Sequence, residues 1–463
     1  MFEADEYLDK VKRIHFIGIG GSGMCPLAEI LHSKGYELSG SDNNETDTLK
    51  RIRSLGIPVQ MGQRAENIKG AEMIVYTAAI MADNPELIAA KESGIPTFER
   101  SKLLGAVSRK FKKTVGISGT HGKTTTTSML TEILIEEGME PNAVIGGKLK
   151  STGTNGITGK SDIFVCEACE FSNTFLELTP SCSVILNVDN DHLEFFGSME
   201  NLEKSFTKFC NLASDTVIYN GDDANTKKVI NNADKNKKFI TFGLKKENDW
   251  RAGDIKLVHG AYSEFDVYKN NEKLGRVTLS IPGEHNVYNA LAAFASADFL
   301  GADINKAFEI VGRFSGAGRR FEKLAEIGGI TIIDDYAHHP TELEATLKTA
   351  KELDFNHVIA VFQPFTYSRT YKLLDDFARV LKIPDKVIMT EIMGSREKNI
   401  YNIHTSDLAE KIPGSEWFKT FDEVAKRAEE AAKPGDMIIT LGCGDIYKAA
   451  KIMIKDLKEK YHE

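Results

Sequence analysis

The chain has 463 residues, enough for roughly three domains of about 150 residues each, and its 41% hydrophobic and 27% charged residues are ordinary for a globular protein. Its net charge is −9 and it contains no basic tract, which argues against nucleic acid or an anionic membrane as the main partner. No apolar run approaches the length of a membrane span, and the start, Met1-Phe-Glu-Ala-Asp-Glu, lacks an apolar signal core, so a cytoplasmic location is expected. Six cysteines stand at 25, 166, 169, 182, 210 and 443. Only Cys166 and Cys169 have C-x-x-C spacing; with no second pair they read as small buried residues beside a strand.

In chain order, residues 13–18 read as a first strand. The glycine pattern Gly18-Ile-Gly20-Gly21-Ser22-Gly23 follows and leads into a helix over 24–33. A second strand over 36–41 ends at Asp42, about 20 residues past the glycines, where a dinucleotide fold holds a ribose hydroxyl. The pattern suits NAD, and equally any nucleotide diphosphate. A strand over 73–77 runs into Ala78, and Pro85 opens a helix. This first α/β region ends near Ser108, and the run Arg109-Lys-Phe-Lys-Lys113 reads as a solvated linker.

A second region, residues 109–317, opens with a β-branched strand, Thr114–Ile117, and the loop Gly119-Thr120-His121-Gly122-Lys123-Thr124. Strand, glycine-rich turn and helix together form a phosphate cradle: turn N–H groups and the positive end of the helix attract an anion. Lys123 would reach the β/γ-phosphates, and the Thr124 hydroxyl would bind Mg²⁺. The longer P-loop pattern would place glycine at Ile117, so the loop is a tighter form. Thr124–Thr127 are poor helix formers placed in a first turn, which points to function. The strand over 163–166 delivers Glu167, and the strand over 183–188 leads to Asp189-Asn-Asp-His192. Ligands of open parallel sheets bind beyond the strands' carboxyl ends, so Lys123, Glu167 and His192 are expected at one cleft. Short alternating segments from 254 to 282 read as an antiparallel β insertion. Asn286 and Asn289 lie on one face at the start of the next helix, where N-capping explains only one of them.

Gly316-Ala-Gly318 reads as a hinge, and a third α/β region covers 318–463. Its strands end in polar residues: Asp334-Asp335-Tyr336 before Ala-His338-His-Pro340, then Gln363-Pro-Phe-Thr-Tyr-Ser-Arg369, Glu391, and Gly442-Cys-Gly-Asp445. A binding cleft requires such clustering.

The motifs Gly18–Gly23, Gly119–Thr126, Glu167-Ala-Cys-Glu170, Asn187-x-x-x-Asp191-His192, His285-Asn-x-x-Asn289, Gly318-Arg-Arg-Phe321, Asp334–Thr341 and Gln363-Pro-x-x-Tyr-Ser-Arg-Thr370 occur in the order of one family. Over nearly its whole length the chain resembles the Mur ligases, most closely their alanine-adding branch. The resemblance implies an α/β protein of three domains: an N-terminal Rossmann-like domain (1–108) for a UDP-sugar, a central P-loop ATPase-like mixed sheet with a small antiparallel insertion (109–317), and a C-terminal Rossmann-like domain (318–463) for the amino acid. It implies ATP-dependent amide formation between L-alanine and the lactoyl carboxylate of UDP-N-acetylmuramate through an acyl phosphate, with Mg²⁺ or Mn²⁺ as the metal. Nucleic acid and membrane insertion have no part in it. Carried over by residue, Gly119, Thr120, His121, Gly122, Lys123, Thr124 and Thr125 hold the phosphates. Thr124, Glu167 and His192 surround the metal, and Asn286 and Asn289 face the adenine. Arg320 approaches the γ-phosphate and Asp335 takes the ribose. Gly18, Gly20, Gly21, Ser22, Gly23, Asp42, Thr77 and Ala78 bind the UDP-sugar. Tyr336, His338 and Arg369 bind the amino acid, with His338 also a candidate for assisting the amine's deprotonation. The branch has a basic pair after Gln-Pro where this chain has Phe365 and Thr366, so one cation near the amino-acid carboxylate is missing. Three rival readings are a ligase joining a whole tripeptide to the same sugar, an NAD-dependent oxidoreductase built on Gly18–Gly23, and a nucleotide-switched binding module.

Overall fold

The computed structural model describes residues 3–191, 193–258, 261–395 and 397–462. Three sheets organise them. The first has five parallel strands, β1 (Arg13–Ile17), β2 (Glu37–Asp42), β3 (Val59–Met61), β4 (Met73–Tyr76) and β5 (Thr97–Glu99), in the order β3-β2-β1-β4-β5. This is half of a doubly wound fold, with its switch point at β1, beyond which Gly18–Gly23 lie. The helix Cys25–Ser33 starts with Pro26, whose missing N–H is no loss in a first turn.

The second sheet has ten strands: β6 (Lys113–Ser118), β7 (Asn142–Leu149), β8 (Thr154–Ile157), β9 (Ile163–Glu167), β10 (Cys182–Ile185), β11 (Thr216–Asn220), β12 (Lys238–Gly243), β13 (Trp250–Val258), β14 (Tyr262–Lys269) and β15 (Glu272–Pro282). Their order is β15-β14-β13-β12-β11-β10-β6-β9-β7-β8. Around β6 the pairing is parallel, as buried crossover sheets require. The expected antiparallel insertion is β13–β15. Its last turn, Asn270-Asn271, has φ of +49° and +67° at its two residues, the geometry of a two-residue hairpin, and asparagine tolerates it well.

The third sheet has six strands, β16 (Glu322–Ile327), β17 (Ile330–Asp335), β18 (Val358–Phe362), β19 (Lys386–Thr390), β20 (Glu416–Phe418) and β21 (Met437–Leu441), ordered β16-β17-β21-β18-β19-β20. Only β16 runs antiparallel to its neighbour. The three-part α/β architecture read from the sequence is therefore present. By contacts, the chain forms two compact units. One holds residues up to Asp254 with Phe265–Val277 and Val287–Phe314; the other holds Ile255–Glu264, Thr278–Asn286 and the chain from Ser315 onward. The first sheet and most of the second lie in the first unit, which leaves parts of β13, β14 and β15 in the other.

One expectation fails. The run Arg109–Lys113 is no solvated linker. Arg109 forms a bidentate pair with Asp5 (2.7 and 2.8 Å) and donates to the Glu177 carbonyl (2.6 Å). Phe111 is buried and stacks on Phe164, with centroids 5.0 Å apart. Lys113 opens β6. Asn155 adds a second tie, donating from Nδ2 to the Ser22 carbonyl at 2.6 Å. Within this unit the first sheet is therefore fastened to the second. The Arg109 pair is mostly buried, so breaking it leaves a desolvated carboxylate. Arg109→Ala is expected to cost about 2 kcal/mol and to lower the first thermal transition. Lys110→Ala, whose partner Asp9 is largely exposed, should shift it by less than half as much, as calorimetry can check.

Candidate active site

Strand β6 lies between β9 and β10, with Ile117 opposite Glu167 and Ser118 opposite Ile185. The loops after all three strands therefore leave the sheet at one level. Gly119 has φ of +141° and Gly122 of +87°. A Cβ at Gly122 would fall 2.3 Å from Asn289 Oδ1, and one at Gly119 would fall 2.9 Å from Leu186 Cβ. Only glycine fits either place. Asn187 clamps the turn: its Oδ1 accepts from His121 N (2.8 Å), and its Nδ2 donates to the His121 carbonyl (3.1 Å). The Thr120 hydroxyl accepts from Asp189 N at 2.9 Å, and His121 Nε2 lies 3.4 Å from Asp189.

The helix Lys123–Glu136 starts at this turn. Thr124 and Thr125 are buried in its first turn. Thr127 bonds back to the Lys123 carbonyl (2.8 Å), and Thr126 reaches Asn289 Oδ1 (3.3 Å). Two of the four threonines thus have structural work, which refines the functional reading of the run. Lys123 Nζ donates to the carbonyls of Gly119 (2.5 Å) and Thr120 (3.1 Å) and to both oxygens of Glu170 (2.9 and 3.1 Å). Burial works against its charge, yet the acidic neighbours, Glu170 foremost, raise its pKa above the ordinary value. Glu170 was not singled out from the sequence as a site residue. Glu167, which was, accepts from Gly146 N at 2.5 Å. A Cβ at Gly146 would fall 2.6 Å from that carboxylate, so Gly146 is a second site residue the sequence did not flag. His192 lies outside the described residues.

The loop beyond β1 is shaped by its own acid. Asp42 Oδ2 accepts from Gly20 N at 2.9 Å, and Asp42 Oδ1 accepts from Asn44 N at 3.0 Å. Gly18, with φ of +83°, leaves no room for a Cβ beside Thr77. Thr77 Oγ1 in turn accepts from Ala79 N. Gly21 N closes the turn onto the Gly18 carbonyl, and Ser22 takes the Asn155 tie. The Arg100 side chain passes 3.0 to 3.3 Å from where a Gly23 Cβ would sit, placing a cation on this loop that the sequence reading did not name. Beneath the loop, His15 bridges Glu86 (2.7 Å) and Ser39 (2.8 Å), while Ser41 donates to Glu86 (2.6 Å), a closed buried network.

In the second unit, Asp335 accepts from Phe321 N (2.6 Å) and Ala337 N (2.8 Å). Burial pushes its pKa up to about 6, against the pull of Arg320 and those two N–H groups. Its carboxylate organises the turn Gly318-Arg-Arg-Phe321, where Arg319 and Phe321 have φ of +59° and +46°. Arg319 binds Asp334 (2.8 Å) and the carbonyls of Gly442 and Gly444, so of the two arginines it has the structural role. The Arg320 guanidinium lies 5.0 Å from the centre of the Tyr336 ring. Asn286 Nδ2 donates to the Pro282 carbonyl at 2.7 Å. Arg369 sits in the short helix Tyr367–Lys372, capped by the Thr366 hydroxyl, which accepts from Arg369 N. His338 packs edge-on against Tyr336 and Phe365, with Nδ1 3.2 Å from Glu342. Burial opposes its charge, but Glu342 and the Cys443 sulfur outweigh it and raise its pKa to about 10. Such an imidazolium suits an anion; it does not suit accepting a proton at neutral pH.

Family models match three consecutive stretches. The Mur ligase family catalytic domain covers 13–112, the Mur ligase middle domain covers 117–297, and the Mur ligase glutamate ligase domain covers 319–444. The chain belongs to the Mur ligase family. The UDP-N-acetylmuramate–L-alanine ligase of Caldanaerobacter subterraneus is 42% identical over 98% of this chain and 99% of its own. The enzyme of the same name from Caldicellulosiruptor bescii is 43% identical over 96% and 99%. Among solved structures, a UDP-N-acetylmuramate–alanine ligase from Thermotoga maritima superposes with a TM-score of 0.81 at 29% identity, covering 97% of this chain and 99% of that one. No helix among the described residues of this Mur ligase is long and apolar enough to cross a membrane.

The raised pKa gives a direct test. The His338 ring resonances should not titrate between about pH 6 and 8. In Glu342→Gln the raising partner is lost, and a midpoint should move down into that window, as NMR would record. Because the folded pKa lies above the unfolded value, the pair adds stability below pH 6.5, and that contribution fades as pH rises toward 10.

Proposed function

We propose that the chain joins L-alanine to the lactoyl carboxylate of UDP-N-acetylmuramate, consuming ATP and releasing ADP and phosphate, a step in peptidoglycan precursor synthesis. The observation that carries this reading is the similarity, across almost the entire chain, to ligases bearing that name. The chemistry fits the first unit. A carboxylate is a poor acylating agent, and taking the γ-phosphoryl of ATP gives it a leaving group, so the amine of alanine can attack the acyl phosphate and expel phosphate. Bringing two anions together needs placement and positive charge more than covalent help.

The proposed roles follow the geometry. Turn N–H groups from Gly119 to Thr124 cradle phosphate, and Lys123 supplies the point charge. The Thr124 hydroxyl and the Glu167 carboxylate are oxygen donors of the kind Mg²⁺ prefers, and Gly146 N fixes the direction of Glu167. The metal, when bound, neutralises charge that develops on the transferred phosphoryl. The glycine loop of 18–23, with Asp42 as its internal brace and Arg100 beside it, receives the UDP part. Tyr336, imidazolium His338 and Arg369 receive alanine, the two cations facing its carboxylate. The domains take the bounds 1–108, 109–317 and 318–463.

The test is ADP release with UDP-N-acetylmuramate, ATP and Mg²⁺, screened with L-alanine, glycine, L-serine and the L-alanyl-γ-D-glutamyl-diamino acid tripeptide. L-alanine should give the largest kcat/KM; a response to the tripeptide alone would overturn the reading. Lys123→Ala should lower kcat roughly a thousandfold, the scale for removing a charge aimed at the transition state.

A further inference from the structure

The contact that the proposed reaction does not use is the Lys123–Glu170 pair. Glu170 is 2% exposed, and its carboxylate takes Lys123 Nζ with both oxygens. An ammonium has three N–H bonds. Here they serve Glu170 and two carbonyls of the phosphate loop itself. The lysine is thereby folded back over the loop that its charge should serve.

Glu170 is held in place by its own surroundings. The next turn puts Ser172 and Asn173 at φ of +54° and +59°, two successive left-handed residues without glycine. Such strain survives only where packing over-determines it. Phe175 supplies that packing: it stacks on Phe209 with centroids 4.8 Å apart and meets Phe206 edge-on at 5.3 Å. Phe209 in turn lies against Gly116 in β6. The Asn173 side chain accepts from the Ser205 hydroxyl. The backbone that carries Glu170 is thus fixed by packing against the sheet and the helix beside it.

Building on the nucleotide-binding reading above, we propose that Glu170 is a positioning residue that competes with nucleotide phosphate for Lys123. The buried carboxylate acts as an internal anion on the lysine. A phosphate entering the loop must draw Nζ away from it or share it, and then meets a second, desolvated negative charge. Both effects oppose nucleotide binding unless a divalent cation supplies compensating charge. Glu170 therefore couples tight nucleotide binding to the metal, disfavouring occupation by nucleotide alone.

The experiment measures ADP affinity by calorimetry for the full chain, with Mg²⁺ and with EDTA. In EDTA, Glu170→Gln should bind ADP about tenfold more tightly than the wild type, because it removes the competing charge and retains the side chain's size. The gap between affinities with and without Mg²⁺ should narrow by the same factor. Glu170→Asp, which keeps the charge on a shorter arm, should fall between the two and guards against a folding defect specific to the amide. Weaker or unchanged ADP binding by Glu170→Gln in EDTA would mean that Glu170 only orients Lys123, and would overturn the proposal. If the wild type fails to bind ADP even with Mg²⁺, the nucleotide reading falls and this inference falls with it.

Discussion

Everything at the phosphate loop depends on the parallel pairing of β6 between β9 and β10. That register sets Ile117 beside Glu167 and Ser118 beside Ile185, so the chain leaves three adjacent strands at one height. Chirality and parallel pairing then leave the loops nowhere to go but the same edge. The sharp turn of Gly119–Gly122 is possible because Asn187 and Asn289 approach to distances that only glycine permits. A slip of one residue in β6 would turn every side chain over and separate Lys123 from Glu167 and Glu170 together.

Within that frame, charge is balanced locally. Buried ions are tolerated when paired and hydrogen-bonded, and costly otherwise. Lys123 has Glu170, Arg319 has Asp334, and Arg109 has Asp5. Each pair lies at a strand end or beside a domain connection, where backbone direction must be fixed. Arg319 shows how this separates two neighbouring residues of one type. Its guanidinium is committed to Asp334 and two carbonyls of the loop after β21, while Arg320 stands over the Tyr336 ring. The sequence pair Arg-Arg looks symmetrical; the structure gives the first to the fold.

What could be read from the sequence was whatever is local. The glycine loops, the strands that end in acids, the proline-led helix at Pro340 and the turn-rich insertion each carry their signal within about ten residues, and all appear. Residues whose role comes from distant partners were missed. Glu170 matters because it meets Lys123, 47 positions away. Gly146 matters because a Cβ there would strike Glu167, and Arg100 because it crosses Gly23. Gly146 and Arg100 have no local pattern that would mark them, and the motif Glu167-Ala-Cys-Glu170 gives no sign of the partner that Glu170 meets. The misreading of Arg109–Lys113 has the same origin: a charged run resembles a linker until Asp5, 104 positions away, is seen to bind it. Asp42 and Asp335 went the other way. Asp42 is expected at a ribose by its place after a strand and Asp335 by the family resemblance, and both are engaged by backbone N–H groups of the adjoining turns. Such an acid can still meet a ligand, but its first effect is to shape the loop.

The departure at residues 365 and 366 acquires a physical account in the same terms. Where the family resemblance implies a basic pair, Phe365 places an apolar ring 6.2 Å from His338 and the Thr366 hydroxyl caps the helix bearing Arg369. A carboxylate ligand still requires positive charge in a partly desolvated pocket. In this chain Glu342 and Cys443 hold His338 as an imidazolium, with the Phe365 ring edge-on beside it. Glu342 also accepts from the backbone N–H groups of His338 and His339, so the same carboxylate fixes the helix start and the charge of the ring. A cation built on a short, two-torsion side chain is more rigid than one on arginine and loses less entropy when it binds. A ring that holds its proton at neutral pH cannot take another, so in the proposed reaction the amine's proton would go to a group other than His338.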